Sequence, residues 1–198
     1  LSESLIRAMN ELPKLCDHLH LPFQSGSNRI LKDMNRKYTR EHYLDLIDRV
    51  RAAVPGMAFT TDIIVGFPGE TEEDFQQTLD LAKRVRFDLA YTFLYSKRTG
   101  TKAAEFENQV PENVKKERFQ RLSELMNSIG TELNREYEGR TVEVLVEGKS
   151  RQSDAMYTGR TSKYKLVNFH SEQDLTSQLV KVKIIRTWPY WLEGTLEG

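Results

Sequence analysis

One stretch limits the fold more than any other: Thr61-Asp62-Ile63-Ile64-Val65-Gly66-Phe67-Pro68-Gly69-Glu70-Thr71. Its first half is a short apolar run of the kind found in strands buried on both faces. Gly66, Pro68 and Gly69 then turn the chain sharply, and Thr71 suits the start of a helix. A strand, a Gly-rich turn and a helix start, in that order, make a βα unit of a parallel sheet. Ligands bind where such strands end, because unpaired backbone N–H groups converge there. An ordinary βα turn with nothing bound reads the same way.

The alternation recurs on either side. Residues 18–21 read as the end of a short strand and 28–34 as a helix. Thr39 suits the cap of a helix over 40–53, with Leu44, Ile47 and Val50 along one face and Pro55-Gly56 as its stop. Residues 58–66 and 89–95 read as strands, and the helix from Thr71 turns Phe75, Leu79, Ala82 and Val85 inward. Three such units are too few to close a barrel, and folded proteins avoid a bare parallel edge. The expectation is therefore that the missing strands belong to an upstream part of the same protein. A long helix over 111–137 carries Val114, Leu122, Leu125, Ile129 and Leu133 at helical spacing. From Gly139 the period drops to two, and 141–148, 157–160, 165–169, 179–185 and 192–196 read as short strands of a small antiparallel OB-like barrel. The expected class is α/β: residues 1–138 as the C-terminal half of a (β/α) barrel with a connecting helix, and 139–198 as a small all-β barrel.

Composition narrows the function. The 198 residues carry 29 basic and 29 acidic side chains, so bulk charge dictates no partner. No apolar run reaches the length of a membrane span, and the first residues lack the apolar core of a signal peptide, which predicts a cytoplasmic protein without a membrane partner. The absent initiator Met fits a piece of a longer protein. Cys16 is the only cysteine, which excludes an internal disulfide and any all-cysteine metal or cluster site, and it reads as an inert thiol. Residues 139–198 hold 9 basic and 7 acidic side chains against 20 and 22 in 1–138, a contrast with the sign that nucleic-acid binding needs. Arg140, Lys149, Arg151, Arg160, Lys163 and Lys165 interleave with Tyr157, Tyr164 and Phe169. Cations neutralise phosphates and aromatic rings stack on unpaired bases, although a solvated basic face over core aromatics gives the same pattern. Trp188-Pro189-Tyr190-Trp191 reads as core packing or docking rather than base stacking.

Three segments taken in order carry a resemblance: His18-Leu19-His20-Leu21-Pro22-Phe23-Gln24-Ser25-Gly26-Ser27, the stretch from Thr61 to Thr71, and Tyr95-Ser96-Lys97-Arg98-Thr99-Gly100-Thr101. Together they resemble the radical S-adenosylmethionine methylthiotransferases, and the tail resembles the RNA-binding TRAM domain of that family. Gly159-Arg160-Thr161, followed by Lys165-Leu166-Val167-Asn168-Phe169, is similar to the tRNA-modifying members. The resemblance implies the second half of a radical S-adenosylmethionine barrel plus a TRAM barrel. It implies S-adenosylmethionine as cofactor, and two 4Fe–4S clusters whose cysteines lie outside this chain, so the chain alone is expected to be inactive. The implied reaction adds a methylthio group to C2 of an isopentenyl-modified adenosine beside the anticodon, with the tRNA anticodon stem-loop as partner. Gln24, Ser25, Gly26 and Ser27 would hold the methionine and sugar of the cofactor, and Ile64, Val65, Gly66 and Ser96 its adenine. Asp62 would face the same pocket, with one of His18 and His20 beside it. The wider class often has GxIxGxxE on this strand; here Asp62 stands at its first Gly and Gly69 at its Glu, with Glu70 one place later. Arg98 is either a partner for a phosphate or carboxylate or a solvated loop charge. Arg140, Lys149, Arg151, Arg160, Lys163, Lys165 and Phe169 would bind RNA. Two rival readings are a methylthiotransferase acting on an aspartate of a ribosomal protein and a non-catalytic RNA-binding protein on a degenerate barrel.

Overall fold

The computed structural model describes residues 1–150 and 153–197. Its first part runs α1 (Glu3–Glu11), β1 (His18–His20), α2 (Asn28–Asp33), α3 (Arg40–Ala53), β2 (Ala58–Val65), α4 (Glu72–Val85), β3 (Leu89–Leu94), α5 (Lys102–Glu105) and α6 (Glu112–Arg135). Four of the helix starts are set by hydroxyls: Ser2, Ser27, Thr39 and Thr71 each accept from the N–H three residues on. Helix α1 is an element the sequence reading lacks. Ile6 is its one buried side chain, so no broad apolar stripe announces it.

Strands β1–β3 are parallel with β2 in the middle. Their register sorts side chains cleanly between two faces. Leu19, Phe59, Thr61, Ile63, Val65 and Leu94 share one face, where Phe59, Ile63 and Val65 join a core with Ile47, Val50, Phe75 and Leu122 of α3, α4 and α6. His18, His20, Thr60, Asp62, Ile64, Tyr91 and Phe93 share the other. No helix covers that second face among the described residues, and Tyr91 and Phe93 are 41% and 52% exposed. A parallel sheet with helices on one face and a polar, open second face has the arrangement of a segment of a (β/α) barrel wall.

The second part forms β4 (Thr141–Ser150), β5 (Ser153–Arg160), β6 (Leu166–His170), β7 (Leu179–Thr187) and β8 (Trp191–Leu196). They close a barrel in the order β4-β5-β6-β8-β7, with β7 pairing back onto β4. One pair departs from the expected antiparallel pattern, because β6 and β8 run parallel. The cause is topological: the segment between β6 and β7 crosses the barrel, so β8, antiparallel to its neighbour β7, arrives beside β6 pointing the same way. Val144, Val146, Tyr157, Val167, Phe169, Val182, Ile184 and Leu192 fill the interior.

The two parts meet along named contacts. Gly139 N–H donates to the Ile184 carbonyl and Ile184 N–H to that of Arg140, both at 2.9 Å, so the chain joins the barrel ladder within a few residues of α6. The turn 188–191 folds onto α6, where Asn134 Nδ2 donates to the Trp188 and Pro189 carbonyls at 2.7 and 3.2 Å. This is docking, one of the two alternatives to base stacking that the aromatic cluster offers. Trp188 and Trp191 stack on each other at 3.7 Å rather than offering free faces. Gly130 makes the approach possible, since a Cβ there would lie 2.4 Å from the Pro189 carbonyl oxygen.

Gly130→Ala should therefore destabilise the chain even though alanine is the better helix former by about 1 kcal/mol. Overpacking predicts a net loss of about 1–2 kcal/mol in thermal unfolding, with altered tryptophan fluorescence from the displaced turn. An unchanged or raised melting temperature would show that the turn does not press on the helix.

Candidate active site

A cleft of about 550 Å³ opens at the carboxyl ends of the three strands. Gln24 lies just beyond β1, Asp62 and Ile64 near the end of β2, and Ser96 just beyond β3, and all four line it. Gln24 is placed by its backbone. Its N–H donates to the Asp62 carbonyl and its carbonyl accepts from Ile64 N–H, both at 2.9 Å, extending the parallel ladder. Those two bonds hold it at φ 65, a left-handed conformation costly to a residue with a Cβ and found where a site demands it. Its side-chain amide makes no hydrogen bond among the described residues and is free for a ligand. Arg98 lines the cleft, and so does Arg36, which the sequence reading missed. No motif marks Arg36; only the fold of the α2–α3 loop brings it there. Neither arginine has an ion-pair partner among the described residues.

The other residues expected at the cofactor do not line this cleft, and each has a protein partner instead. Ser25 is buried, and Ser27 caps α2 while its hydroxyl donates to Asp74 Oδ1 at 2.6 Å. Gly26 N–H donates to Thr78 Oγ1 at 2.9 Å, and a Cβ on Gly26 would meet the Gln77 carbonyl oxygen at 2.3 Å, so this glycine serves the packing of loop on helix. Val65 points into the core. Gly66 has φ 75, which favours glycine, but the space a Cβ would take is occupied by the Lys115 side chain, with Cγ 2.2 Å away.

The Gly-rich turn is thus filled by protein rather than open to a ligand. Gly66 N–H donates to Glu70 Oε1 at 3.0 Å, and Gly69 N–H donates to the Asn108 carbonyl at 2.8 Å. The start of α4 is closed by a reciprocal cap between Thr71 and Asp74, with Arg29 ion-paired to Asp74. Glu72, Glu73 and Asp74 crowd this end with negative charge, which repels an anion. Glu70 has a latch role: its buried carboxylate meets Arg118 Nη1 of α6 at 2.9 Å, and Lys115 Nζ donates to the Tyr95 carbonyl at 3.2 Å. Two buried cations on α6 therefore tie down the loops after β2 and β3.

Below the cleft, the open face carries a polar column. The Thr60 hydroxyl lies 2.8 Å from His18 Nε2 and 2.9 Å from His20 Nδ1, and His20 Nε2 is 3.6 Å from Asp62 Oδ2. One hydroxyl can donate to one ring and accept from the other, so the bridge makes the two tautomers interdependent. Tyr164 stacks on His18 at 4.4 Å with the rings 9° apart. Burial there lowers His18 from its ordinary value, with Asp88 opposing. His20 is the imidazole next to Asp62, and His18 faces the small barrel.

The residues expected to bind RNA divide in the same way. Arg140 and Lys149 are exposed, and Arg160 and Lys163 are half-buried. Arg160 pairs with Glu147 at 3.0 Å and covers the Tyr164 ring. Lys165 is buried and ion-paired with Asp88 at 2.8 Å, so it joins the two parts of the chain. Phe169 is fully buried in the barrel core and has no ring face for a base. Its alternation with the buried Val167 was the available signal. Arg151 lies outside the described residues.

Residues 1–82 match the model of the Radical SAM superfamily, and residues 135–196 match that of the TRAM domain. A solved structure of coproporphyrinogen III oxidase from Escherichia coli, described as a radical SAM enzyme, superimposes with a TM-score of 0.55 at 14% identity. It covers 82% of this chain and 44% of that one, a likeness of fold alone. The first part of the chain is thus similar to a radical SAM domain and the second to a TRAM domain. The tRNA-2-methylthio-N(6)-dimethylallyladenosine synthase of Acetivibrio thermocellus is 59% identical over 198 residues, 99% of this chain and 41% of that protein. The proteins of the same name from Carboxydothermus hydrogenoformans and Clostridium perfringens (strain SM101) are 56% and 51% identical, again over 99% of this chain and 44% of theirs. Across both of its parts the chain is thus similar to proteins named as tRNA-2-methylthio-N(6)-dimethylallyladenosine synthases. It spans between 41% and 44% of the length of these relatives.

The latch carries a pH signature. Burial pushes Glu70 up to about 7 from its ordinary 4.5, outweighing the Gly66 N–H and Arg118, which pull it down. Between those values the folded chain keeps a proton that the unfolded chain has lost, so this group's contribution is present at low pH and disappears as pH rises through about 7. The slope is at most about 1.4 kcal/mol per pH unit. Unfolding free energies of the wild type minus those of Glu70→Gln should fall across that window and level off above it. A difference that stays constant with pH would mean that Glu70 remains ionised in the folded chain.

Proposed function

We propose that this chain is part of a cytoplasmic tRNA methylthiotransferase that adds a methylthio group to C2 of isopentenyl-modified adenosine beside the anticodon. The observation that carries the reading is identity of 51–59%, running through both the barrel segment and the TRAM barrel, to proteins named for that activity. We divide the chain functionally at residues 138 and 139, with the barrel wall before and the RNA handle after.

The cleft fits S-adenosylmethionine by the chemistry of its donors. Gln24 offers an unbonded amide, Asp62 a carboxylate, Ser96 a hydroxyl, Ile64 an apolar wall, and Arg36 and Arg98 cations for a carboxylate. A cluster does not fit this chain: Cys16 is single and exposed, so the ligands of both 4Fe–4S clusters belong to the upstream part of the protein. When bound, the cofactor and a reduced cluster supply the one-electron chemistry that removes hydrogen from an unactivated carbon. The residues of this chain bind and orient. Asp62, held from below by His20, fixes one side of the ligand, and the latch through Glu70 and Arg118 keeps the cleft's loops seated.

The small barrel is the RNA handle, through Arg140, Lys149, Arg160 and Lys163. Lys165 and Phe169 act structurally. Binding of the chain to a fluorescent anticodon stem-loop, with and without the isopentenyl group, across a salt series tests this. The expected result is a slope on the order of three phosphate contacts, with preference for the modified loop. A folded chain with no affinity for either loop would overturn the tRNA reading in favour of a protein substrate.

A further inference from the structure

The polar column on the open face of the sheet has a direction. Thr60 is 2% exposed, and its hydroxyl has a single hydrogen for the two ring nitrogens it meets, His18 Nε2 at 2.8 Å and His20 Nδ1 at 2.9 Å. It therefore donates to one ring and accepts from the other. The far nitrogen of His20 decides which. His20 Nε2 lies 3.6 Å from Asp62 Oδ2, and an acceptor-only carboxylate favours an N–H there over a lone pair. A neutral His20 with its proton on Nε2 has a bare Nδ1, so Thr60 donates to it and accepts from His18 Nε2–H. Burial lowers His18 from its ordinary value, in keeping with a neutral ring that has one N–H to give. The order of donation is thus His18 to Thr60 to His20, with the last N–H facing Asp62.

The contact with Asp62 depends on the rest of the column. The His20 and Asp62 side chains are 41% and 28% exposed, and a charge contact that open is worth little by itself. The His20 ring is kept in place by its other end, on the buried Thr60 hydroxyl. The head of the column is seated from the small barrel, where Tyr164 stacks on His18 at 4.4 Å. Tyr164 sits at φ 64, a left-handed conformation that a residue with a Cβ adopts at a cost and that persists where its surroundings demand it.

We propose that His18, Thr60 and His20 are positioning residues for Asp62: a one-way hydrogen-bond chain, seated by Tyr164, that aims the Asp62 carboxylate into the cleft. None of the three lines the cleft, and they act through Asp62, which does. The proposal rests on the cofactor reading of the cleft and deepens it, because the small barrel then bears on cofactor binding as well as on RNA.

The test follows the imidazole nitrogens of the ¹⁵N-labelled chain by NMR at a pH where both rings are neutral, and then adds S-adenosylmethionine. The expected spectrum shows Nε2–H and a bare Nδ1 on both rings. Asp62→Asn should move the nitrogens of His18 as well as those of His20, because the column loses the charge that sets its direction. Binding of S-adenosylmethionine, read from the His20 shift, should weaken about tenfold in Thr60→Val and recover in Thr60→Ser, which keeps the hydroxyl. Tyr164→Ala, outside the cleft, should weaken it in the same sense, and circular dichroism checks that every variant folds. His18 nitrogens unmoved by Asp62→Asn would overturn the proposal. So would a Thr60→Val or Tyr164→Ala variant that binds like the wild type, or a Thr60→Ser variant no better than Thr60→Val. Ring nitrogens that respond as expected in a chain without affinity for S-adenosylmethionine would support the hydrogen-bond chain and overturn the cofactor reading of the cleft.

Discussion

Strands β1, β2 and β3 run parallel, and parallel neighbours can be joined only by crossovers. Right-handed crossovers place α3 and α4 on the same side of this sheet, and α6 closes over β3. One face is thereby committed to a core of Phe59, Ile63, Val65 and their helical partners. The titratable side chains of these strands, His18, His20, Asp62 and Tyr91, are all left on the other face. The sorting continues lengthwise along β2. Ile64 and Asp62 line the upper cleft, and Thr60, two residues down on the same face, lines a second cavity of about 220 Å³ between the sheet and the small barrel. A single strand thus runs past both cavities, with His18 and His20 bridged by the Thr60 hydroxyl between them.

Helix α6 braces both ends of that arrangement. Its 24 residues span about 36 Å at 1.5 Å per residue. Lys115 and Arg118 near its start are buried against the loops of the cleft, and Gly130 and Asn134 near its end receive the turn of the small barrel. A buried ion pair such as Glu70–Arg118 is weak evidence of net stability, yet losing one partner costs about 3–5 kcal/mol because the other charge is left in the core. The pair therefore fixes where the loop sits more than it strengthens the fold. One helix thus seats both the cleft loops and the small barrel.

Patterns of period 3.6 and period 2 were legible in the chain, as were the caps at Thr39 and Thr71, because these depend on neighbours within a few residues. The family segments around Gln24, Asp62 and Ser96 pointed to the cleft for the same reason: each is a strand end. What could not be read depends on contacts across the chain. Nothing near Gly66 says that Lys115 will fill the space beside it, 49 positions on, and nothing near Asp88 says that Lys165 will reach it. Glycines and cations serve ligands and tight packing equally well, so residue type alone does not separate the two roles. Phe169 went the same way: basic neighbours suggested stacking, and only the inward parity of β6 places it in the core.

The closed glycine turn changes what the cleft selects. In sites built on a helix start, loose N–H groups and the helix dipole favour a plain anion. Here those N–H groups donate to Glu70 and to the Asn108 carbonyl, and the first turn of α4 is acidic. Positive charge comes instead from Arg36 and Arg98, and it faces a cleft that also holds the Asp62 carboxylate. A phosphate alone would satisfy the arginines and be repelled by Asp62. A ligand with a cationic centre and a carboxylate a few bonds apart satisfies both, and that split is the charge pattern of the methionine end of S-adenosylmethionine. On the proposed reading, selectivity in this wall resides in the side chains of Asp62 on β2, Arg36 in the α2–α3 loop and Arg98 beyond β3, rather than in the backbone of the glycine turn.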